Sequence, residues 1–539
     1  MAGMKAFIVL CLVVIWLDLV VAAWFFNTVA LSVAAVIGTA LLLGLGINGR
    51  RRLRRLPVET GWRLGRAFEL SNPETPDPVM DARIPSKTLR LGLLAIGGPG
   101  AGKTESVLLG YLKALPEHAP GSGVAIFEGK GDIDIYKKCV AMGCRPDHFF
   151  STELPGSDTI NLMEGETHDV VDRMTRLLIG HTQSTSYYAD AQRAVLAMVI
   201  PLLTELDEPV NLRDLYTALS HPDAGIELLR RARDARLDAT VITLAEQWYG
   251  QKPEVRQAEI RGLLNKLFIF CHGPYADRLN AYQPDISISD AVENNQRLYF
   301  HMPLSEFSRD VAIAIIEMFG VVARRRQLAG PEHFTLFPLL MDDWGGFFYD
   351  GFGPFSARCR SAAMPLSFSF QSLAQVKAVS QVFSDELDDN LATKLILRVQ
   401  GEDTASFAQR LLGEYEAYEV STSQLNERDG TALGVALRHR VNARDLRELA
   451  EGEAFVSTLY KEGERMVNPL WRVRLPLPEF TDWSSVTLPE ARPHPAGQGL
   501  RLWQRYLGPT DDKPRSKPAA SFGRTETVPV MDDFTVVEL

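Results

Sequence analysis

Cysteine is scarce in this sequence. Its five cysteines are spread over the 539 residues without a zinc-type spacing. Cys139 and Cys144 stand five residues apart, but no second pair and no His-x-x-x-His segment accompanies them. A disulfide-built class and a zinc-finger class are therefore excluded, and reduced, buried thiols are the interpretation that we adopt. The cysteines are Cys11, Cys139, Cys144, Cys271 and Cys359.

An excess of positive charge is also missing. The chain has 57 Lys and Arg against 67 Asp and Glu, which gives a net charge of −10 and a pI near 5.6. This balance excludes a protein coated with basic surface, as a histone-like binder would be. It does not exclude a motor that grips nucleic acid inside a narrow channel, where the local charge matters more than the total. With 46% hydrophobic residues, the chain is long enough for two or three domains.

Long apolar runs are absent except at the N-terminus, where residues 6–47 contain one charged residue, Asp18. One bilayer crossing needs about 20 apolar residues, so this run predicts a two-helix transmembrane hairpin within residues 1–56, with its turn near Trp24–Thr28. A cleaved signal peptide is the alternative, and the doubled length disfavours it. Positive residues flank both ends and place both ends in the cytoplasm. They are Lys5, Arg50, Arg51, Arg52, Arg54 and Arg55.

Asp18 is costly in lipid, and two interpretations of it stay open. It faces another helix or a subunit interface, or it lies near enough to the headgroups to stay hydrated.

The pattern after the hairpin predicts an interrupted α/β domain. Residues 57–165 carry short buried-strand signals, residues 166–290 change to helical periodicity, and residues 291–482 return to strand signals. We therefore expect an α/β domain, built from the first and third segments, with an all-helical insertion between them. Residues 483–539 are rich in Pro, Ser, Lys and Arg and predict a flexible C-terminal tail.

A complete phosphate-loop motif follows the apolar strand signal at residues 89–96. Glycines let the backbone amides turn towards phosphate oxygens, and the following helix adds the positive end of its dipole. The motif predicts that Lys103 reaches the β- and γ-phosphates of ATP and that the Thr104 hydroxyl binds Mg²⁺. The matching run is Gly97-Gly98-Pro99-Gly100-Ala101-Gly102-Lys103-Thr104.

An apolar run that ends in two carboxylates supplies the second half of a hydrolytic site. In residues 336–343 the run ends at Asp342 and Asp343. We expect Asp342 to hold the magnesium ion and Asp343 to orient or deprotonate the attacking water. Pro338 inside the run counts against this prediction, because proline is unusual in a central strand.

A third apolar run, residues 365–370, leads into Gln371. A glutamine at a strand end beside the γ-phosphate can sense hydrolysis, and a simple polar strand cap is the alternative. Arg358 and Arg360 precede it. Either arginine is a candidate for a finger that reaches a neighbouring subunit's nucleotide, with Arg360 as our choice, and an ordinary surface arginine is the alternative for each.

The order of these features resembles the type IV secretion coupling proteins, the TraD/TraG group of conjugative ATPases. The resemblance covers residues 6–475. Residues 127–132 (Phe-Glu-Gly-Lys-Gly-Asp) are similar to the family's Asp-Pro-Lys-Gly-Glu turn, and residues 160–162 (Ile-Asn-Leu) to its Asn-Pro-Leu segment. Residues 371–375 (Gln-Ser-Leu-Ala-Gln) are similar to its Gln-Ser-x-x-Gln box, and residues 402–413 contain a similar Thr-Ala and Leu-Gly signature.

The resemblance implies an inner-membrane ATPase whose catalytic domain, a RecA-like P-loop NTPase domain with the all-helical insertion, is cytoplasmic. It implies a homo-hexamer that binds ATP and Mg²⁺, recruits single-stranded DNA with its relaxase, and drives this cargo to the secretion channel components. The chain departs from the family at Asp343, where the usual residue is Glu. The carboxylate is thereby pulled back by about 1.5 Å, the length of one C–C bond, which affects the reach of a general base.

Two further readings stay open. In the first, the protein is a catalytically weak substrate receptor whose nucleotide site only stabilises assembly. It predicts ATP binding without DNA-stimulated hydrolysis. In the second, it is a DNA translocase of the FtsK/HerA type, which the helical insertion and the two-helix anchor disfavour.

Overall fold

The computed structural model describes Asp18 and residues 61–70, 80–180, 187–349, 351–378, 391–425, 428–462, 464–494 and 497–508. The predicted membrane hairpin lies outside these residues, apart from Asp18. Among the residues described, no helix has the length and apolarity that a bilayer crossing requires. The chain divides into two compact units, a sheet unit (Met1–Asp158 and Ile286–Arg492) and a helical unit (Thr159–Asp285 and Pro493–Leu539).

The sheet unit is built on one large, mostly parallel sheet. Eleven strands of the described residues join it in the order β2-β1-β15-β12-β9-β3-β8-β7-β4-β6-β5. The strands that the structure describes are β1 Gly61–Glu69, β2 Met80–Pro85, β3 Leu93–Ile96, β4 Val124–Glu128, β5 His148–Ser151, β6 Arg297–His301, β7 Leu339–Asp342, β8 Leu366–Phe370, β9 Thr393–Ile396, β10 Glu414–Leu425, β11 Arg428–His439, β12 Glu453–Thr458, β13 Tyr460–Glu462, β14 Arg465–Val467 and β15 Leu470–Arg474.

The run from β9 to β5 is parallel, whereas β12, β15, β1 and β2 add antiparallel strands at one side. Strands β3, β4, β7 and β8 are buried along their whole length. The mainly apolar sequences of β3, β4 and β7 are typical of parallel strands that are covered on both faces. The predicted α/β architecture is confirmed. Strands β10 and β11 form a separate antiparallel hairpin, and β13 pairs with β14.

Helices cover the sheet and connect its parallel strands. Those of the sheet unit are α1 Ser86–Leu89, α2 Leu109–His118, α3 Ile133–Ala141, α11 Ile288–Glu293, α12 Glu306–Ala329, α13 Phe352–Ser361, α14 Leu373–Lys377, α15 Glu402–Leu412 and α16 Ala443–Arg447. A π-helical turn, Lys103–Leu108, precedes α2, and 3-10 turns lie at Pro331–His333, Trp344–Phe347 and Trp483–Ser485.

The helical unit contains α4 Thr167–Ile179, α5 Tyr187–Thr204, α6 Leu212–Ser220, α7 Pro222–Asp234, α8 Ala239–Tyr249, α9 Pro253–Cys271, α10 Ala276–Leu279 and α17 Leu502–Tyr506. Its helix starts are marked by the sequence. Asn211 and Asp214 form a reciprocal capping box at α6, and the Asp238 carboxylate accepts hydrogen bonds from the first amides of α8. These helices, apart from α17, lie within residues 166–290, where the sequence predicts an all-helical insertion.

The flexible tail predicted at residues 483–539 needs a correction at residues 497–508, which belong to the helical unit, while residues 509–539 lie outside the described residues. Leu500 and Leu502 are buried, and the Leu502 amide donates to the Asp214 carboxylate at 2.7 Å. The Arg501 amide donates to the Tyr282 hydroxyl at 3.0 Å. Burial of the leucines and satisfied backbone groups hold residues 497–508 in place, which the polar composition of the segment did not indicate.

Candidate nucleotide-binding and hydrolysis site

The phosphate-loop motif, residues 97–104, connects β3 to the π-helical turn. Gly102 has a left-handed backbone, φ 93°, and a Cβ atom there would lie 3.0 Å from Ser106 Oγ and 3.1 Å from the Gly452 amide nitrogen. Glycine is therefore required at this position by both conformation and space. The Gly98 amide donates to the Arg398 carbonyl at 2.7 Å, which ties the loop to the chain that follows β9.

Lys103 is held at the centre of this loop. Its ammonium group donates to the Gly97 carbonyl at 2.7 Å and to the Gly98 carbonyl at 3.2 Å, and 8% of the residue is exposed. Burial lowers the pKa of Lys103, and the negative charges of Asp343 and Asp342 oppose that shift. The lysine and both predicted carboxylates therefore share one electrostatic environment.

Thr104 and Asp342 are in direct contact. The Thr104 hydroxyl donates to Asp342 Oδ2 at 2.7 Å, and the Ser369 hydroxyl donates to Asp342 Oδ1 at 2.9 Å. Asp342 is buried, and this burial raises its pKa, although both hydrogen bonds favour the ionised form. A hydroxyl and a carboxylate in contact offer the oxygen ligands that Mg²⁺ prefers.

Asp343 lies beside this pair in a strained conformation. Its φ of 49° is left-handed, which is uncommon for a residue with a side chain and clusters at functional sites. Its amide donates to Ser369 Oγ at 2.9 Å, and its Oδ2 accepts from the Gln371 side-chain amide at 2.5 Å. Its Oδ1 is buried and has no hydrogen-bond partner among the described residues. That oxygen is suited to accept a hydrogen bond from a water molecule.

Gln371 directly follows β8, and the segment after it turns back on itself. The Gln375 side-chain oxygen accepts from the Gln371 amide at 3.2 Å and from the Ser372 amide at 3.3 Å. Ser372 caps α14. The Gln-Ser-x-x-Gln box is therefore a capped turn that directs the Gln371 side chain to Asp343.

Arg360 is the predicted site residue that these contacts do not include. It is exposed near the end of α13, and Arg358 on the same helix is partly buried. The hydrogen bonds described above join Lys103, Thr104, Asp342, Asp343 and Gln371 through Ser369 and the loop. Within one subunit the described residues give Arg360 no place among them.

Two buried residues of the site were missed by the sequence reasoning. Ser369 bridges Asp342 and Asp343, and its signal is the alternation of serine with apolar residues along β8. Glu128 ends β4 beside Asp342 and accepts from the Lys130 amide at 2.7 Å and the Gly131 amide at 2.9 Å. Burial raises the pKa of Glu128 to about 7, while these amide hydrogen bonds oppose the shift.

These residues fit a magnesium-bound nucleoside triphosphate. The loop offers backbone amides and a lysine for phosphate oxygens, and Thr104 with Asp342 offers oxygen ligands for the metal. A bound metal ion would neutralise charge on the phosphates and polarise the phosphoryl oxygens. The buried, unpartnered Oδ1 of Asp343 supplies the remaining polar group of a hydrolytic site.

Comparison with known proteins bears on the fold. No protein-family model matches the sequence, and no curated protein matches it. Among solved structures, the unbound bacterial conjugative coupling protein TrwB, in the form named TrwBdeltaN70, matches with a TM-score of 0.51 at 18% identity. The match covers 74% of this chain and 88% of that one. The chain has the fold of a conjugative coupling protein.

Liganded structures of plasmid coupling protein TrwB match equally well. The complex with a non-hydrolysable ATP analogue has a TM-score of 0.51 at 17% identity, covering 74% of this chain and 88% of that one. The complex with ADP and Mg²⁺ has a TM-score of 0.50 at 17% identity, covering 78% and 96%. The resemblance inferred from the motifs is thereby confirmed for the fold.

Proposed function

We propose that the protein is a P-loop ATPase that couples a DNA substrate to a type IV secretion channel and drives its transfer. The observation that carries the proposal is the hydrogen bond between Thr104 and Asp342, with Lys103 and Asp343 in the same site. This arrangement has the parts of phosphoryl transfer to water: a phosphate loop, a metal-binding pair and a carboxylate for the attacking water. TrwB supports it, because that protein shares the fold and binds an ATP analogue and ADP with Mg²⁺.

The cellular setting is part of the same proposal. The apolar run in residues 1–56 anchors the protein in the bacterial inner membrane as a two-helix hairpin, with the ATPase domain in the cytoplasm. The cargo is single-stranded DNA with its relaxase, gripped through its phosphate backbone without reading of sequence. The partners are the components of the secretion channel.

A homo-hexameric ring gives the exposed Arg360 a role. In a ring, an arginine on the surface of one subunit reaches the nucleotide of its neighbour and stabilises the charge of the transition state. Arg358 lies on the same helix and is partly buried, so it is the matched control. We expect Arg360→Ala to lose ATPase activity and keep nucleotide binding, whereas Arg358→Ala keeps both. Equal activity of Arg360→Ala and wild type excludes the finger.

A substrate receptor without turnover is the second candidate, and the geometry of Asp343 favours it. The short carboxylate has one of its oxygens engaged by Gln371 at 2.5 Å. The Asp343 carboxylate also reaches less far than the usual glutamate towards an attacking water, so this candidate predicts nucleotide binding with little hydrolysis.

ATPase rates of the full-length protein in detergent, with and without single-stranded DNA, separate the two candidates. The motor predicts hydrolysis that DNA stimulates and that Lys103→Ala abolishes. The receptor predicts binding without stimulation. The motor is excluded if DNA does not stimulate ATP hydrolysis by the wild type and Asp343→Glu hydrolyses ATP faster. The longer carboxylate would then supply a general base that the wild type lacks.

A further inference from the structure

A tight turn after β4 lies directly beside the candidate metal-binding carboxylate. The Gly129 amide donates to the Asp342 carbonyl at 3.2 Å, which continues the pairing with the last residue of β7 past the end of β4. A Cβ atom at Gly129 would lie 2.8 Å from the Phe347 ring. The absence of a side chain therefore lets the turn approach β7 this closely.

The Glu128 side chain holds this turn in shape. Its two oxygens accept from the Lys130 and Gly131 amides at 2.7 and 2.9 Å, and the residue has no exposed surface. Gly131 has a left-handed backbone, φ 86°. A buried carboxylate that satisfies two backbone amides fixes the direction in which Lys130 leaves the turn.

The Lys130 side chain is exposed. No carboxylate of the described residues forms an ion pair with it. Lys130 follows Gly129, whose amide donates to the Asp342 carbonyl, so the turn brings a positive charge to the strand end that carries Asp342 and Asp343. An exposed lysine in a turn beside a phosphate-binding site offers a positive charge that a polyanion stabilises.

We propose that Lys130 binds the terminal phosphate of ATP, as a second phosphate-binding lysine beside Lys103. This inference rests on the proposed ATPase function. The strand order places Lys130 away from the phosphate loop, because β4 is separated from β3 by β8 and β7. Lys103 is engaged at the loop carbonyls, whereas Lys130 belongs to the turn whose Gly129 amide donates to the Asp342 carbonyl, at the strand end where the bond to the terminal phosphate is to be cleaved.

The site therefore discriminates a nucleoside triphosphate from a diphosphate. Lys103 serves both nucleotides from the loop, but Lys130 contacts a group that the diphosphate lacks. A phosphate of the DNA backbone is the alternative ligand of Lys130, and measured affinities for nucleotides and for single-stranded DNA distinguish the two ligands.

Affinities of the full-length protein in detergent for a non-hydrolysable ATP analogue and for ADP, both with Mg²⁺, test the proposal. We expect Lys130→Ala to weaken binding of the analogue about tenfold, which corresponds to about 1.4 kcal/mol of binding free energy. Binding of ADP should weaken by less than about twofold. Lys130→Arg keeps the preference for the triphosphate. Lys113→Ala, which removes an exposed lysine from α2, leaves both affinities unchanged. The thermal midpoint of Lys130→Ala stays that of the wild type, because its side chain is exposed.

Equal affinities of wild type and Lys130→Ala for the analogue overturn the inference and leave the ATPase proposal standing. The inference is also overturned if Lys130→Ala binds single-stranded DNA more weakly while its nucleotide affinities are unchanged. Lys130 then binds a phosphate of the DNA backbone. A wild-type protein that binds neither nucleotide overturns the proposed function together with this inference.

Discussion

The Thr104 hydroxyl and the Asp342 carboxylate, 238 residues apart in the chain, are joined by a hydrogen bond of 2.7 Å. The parallel order β3-β8-β7 brings the loop after β3 and the carboxyl end of β7 to the same edge of the sheet. Ligands bind at this edge in open α/β sheets. The bond is thus a consequence of topology, and it defines where a metal ion would sit.

Removal of the Thr104 hydroxyl is expected to abolish the effect of Mg²⁺ on nucleotide binding. In Thr104→Ala the metal loses an oxygen ligand and Asp342 loses a donor, so ATPase activity falls about 10- to 100-fold. Thr104→Ser keeps the hydroxyl and is the control. Affinity for ATP measured with Mg²⁺ and with a chelator checks the prediction. A Thr104→Ala protein that still gains affinity from Mg²⁺ contradicts it.

Two serines of β8 give a matched pair of variants. Ser369 Oγ bridges Asp342 and the Asp343 amide, whereas Ser367 Oγ is buried without a hydrogen-bond partner among the described residues. Both are 3% exposed. Ser369→Ala leaves a buried carboxylate and an amide short of partners and costs about 1–3 kcal/mol, whereas Ser367→Ala is neutral or stabilising.

The thermal midpoint of the sheet unit and the ATPase rate report this difference. Ser369→Ala lowers the midpoint by about 2–8 °C and also lowers the rate, since the bridge positions both carboxylates. Equal effects of the two substitutions are incompatible with the bridge that we describe.

The phosphate loop and the acidic strand end were predictable because each is a local signal. The spacing of glycines, Lys103 and Thr104 reflects one continuous turn, and an apolar run ending in carboxylates marks a strand edge. Pro338, which counted against the prediction, lies just before β7, which begins at Leu339. Its carbonyl accepts from the Ala125 amide at 3.1 Å, and no N–H is needed there.

Ser369 and the segment at residues 497–508 were not predictable in the same way. The role of Ser369 depends on two carboxylates of another strand. Leu502 binds Asp214, 288 residues earlier, through a backbone amide that leaves no trace in the sequence. Two buried leucines are too few to show a helical period, so composition dominated the prediction.

Glu128 is expected to make the stability of the sheet unit depend on pH. Burial raises its pKa from 4.5 to about 7, so the folded protein keeps a proton that the unfolded chain releases in this window. The contribution of Glu128 to the free energy of unfolding is about 3 kcal/mol. It is fully present below pH 4.5 and is lost as the pH rises to 7. Glu128→Gln cannot ionise and lacks this dependence.

Thermal midpoints of wild type and Glu128→Gln, measured from pH 5 to pH 8, check this sign. The wild type should lose stability relative to the variant as the pH rises. Glu117→Gln, which replaces an exposed carboxyl on α2, is the control and should keep a constant difference from the wild type. If the thermal midpoint of the wild type rises relative to that of Glu128→Gln as the pH rises, the predicted direction is wrong.

The C-terminal segment is expected to be a structural part of the helical unit. Leu502 is fully buried and its amide binds Asp214, whereas Leu507 is 40% exposed at the end of the same helix. Leu502→Ala leaves a cavity and costs about 2–5 kcal/mol, while Leu507→Ala changes stability by less than about 0.5 kcal/mol.

Hydrogen exchange of α6 in the full-length protein should therefore become faster in Leu502→Ala and stay unchanged in Leu507→Ala. Nucleotide affinity is the internal control, because the residues of the nucleotide site belong to the sheet unit. Unchanged protection of α6 in Leu502→Ala means that the segment does not stabilise the unit.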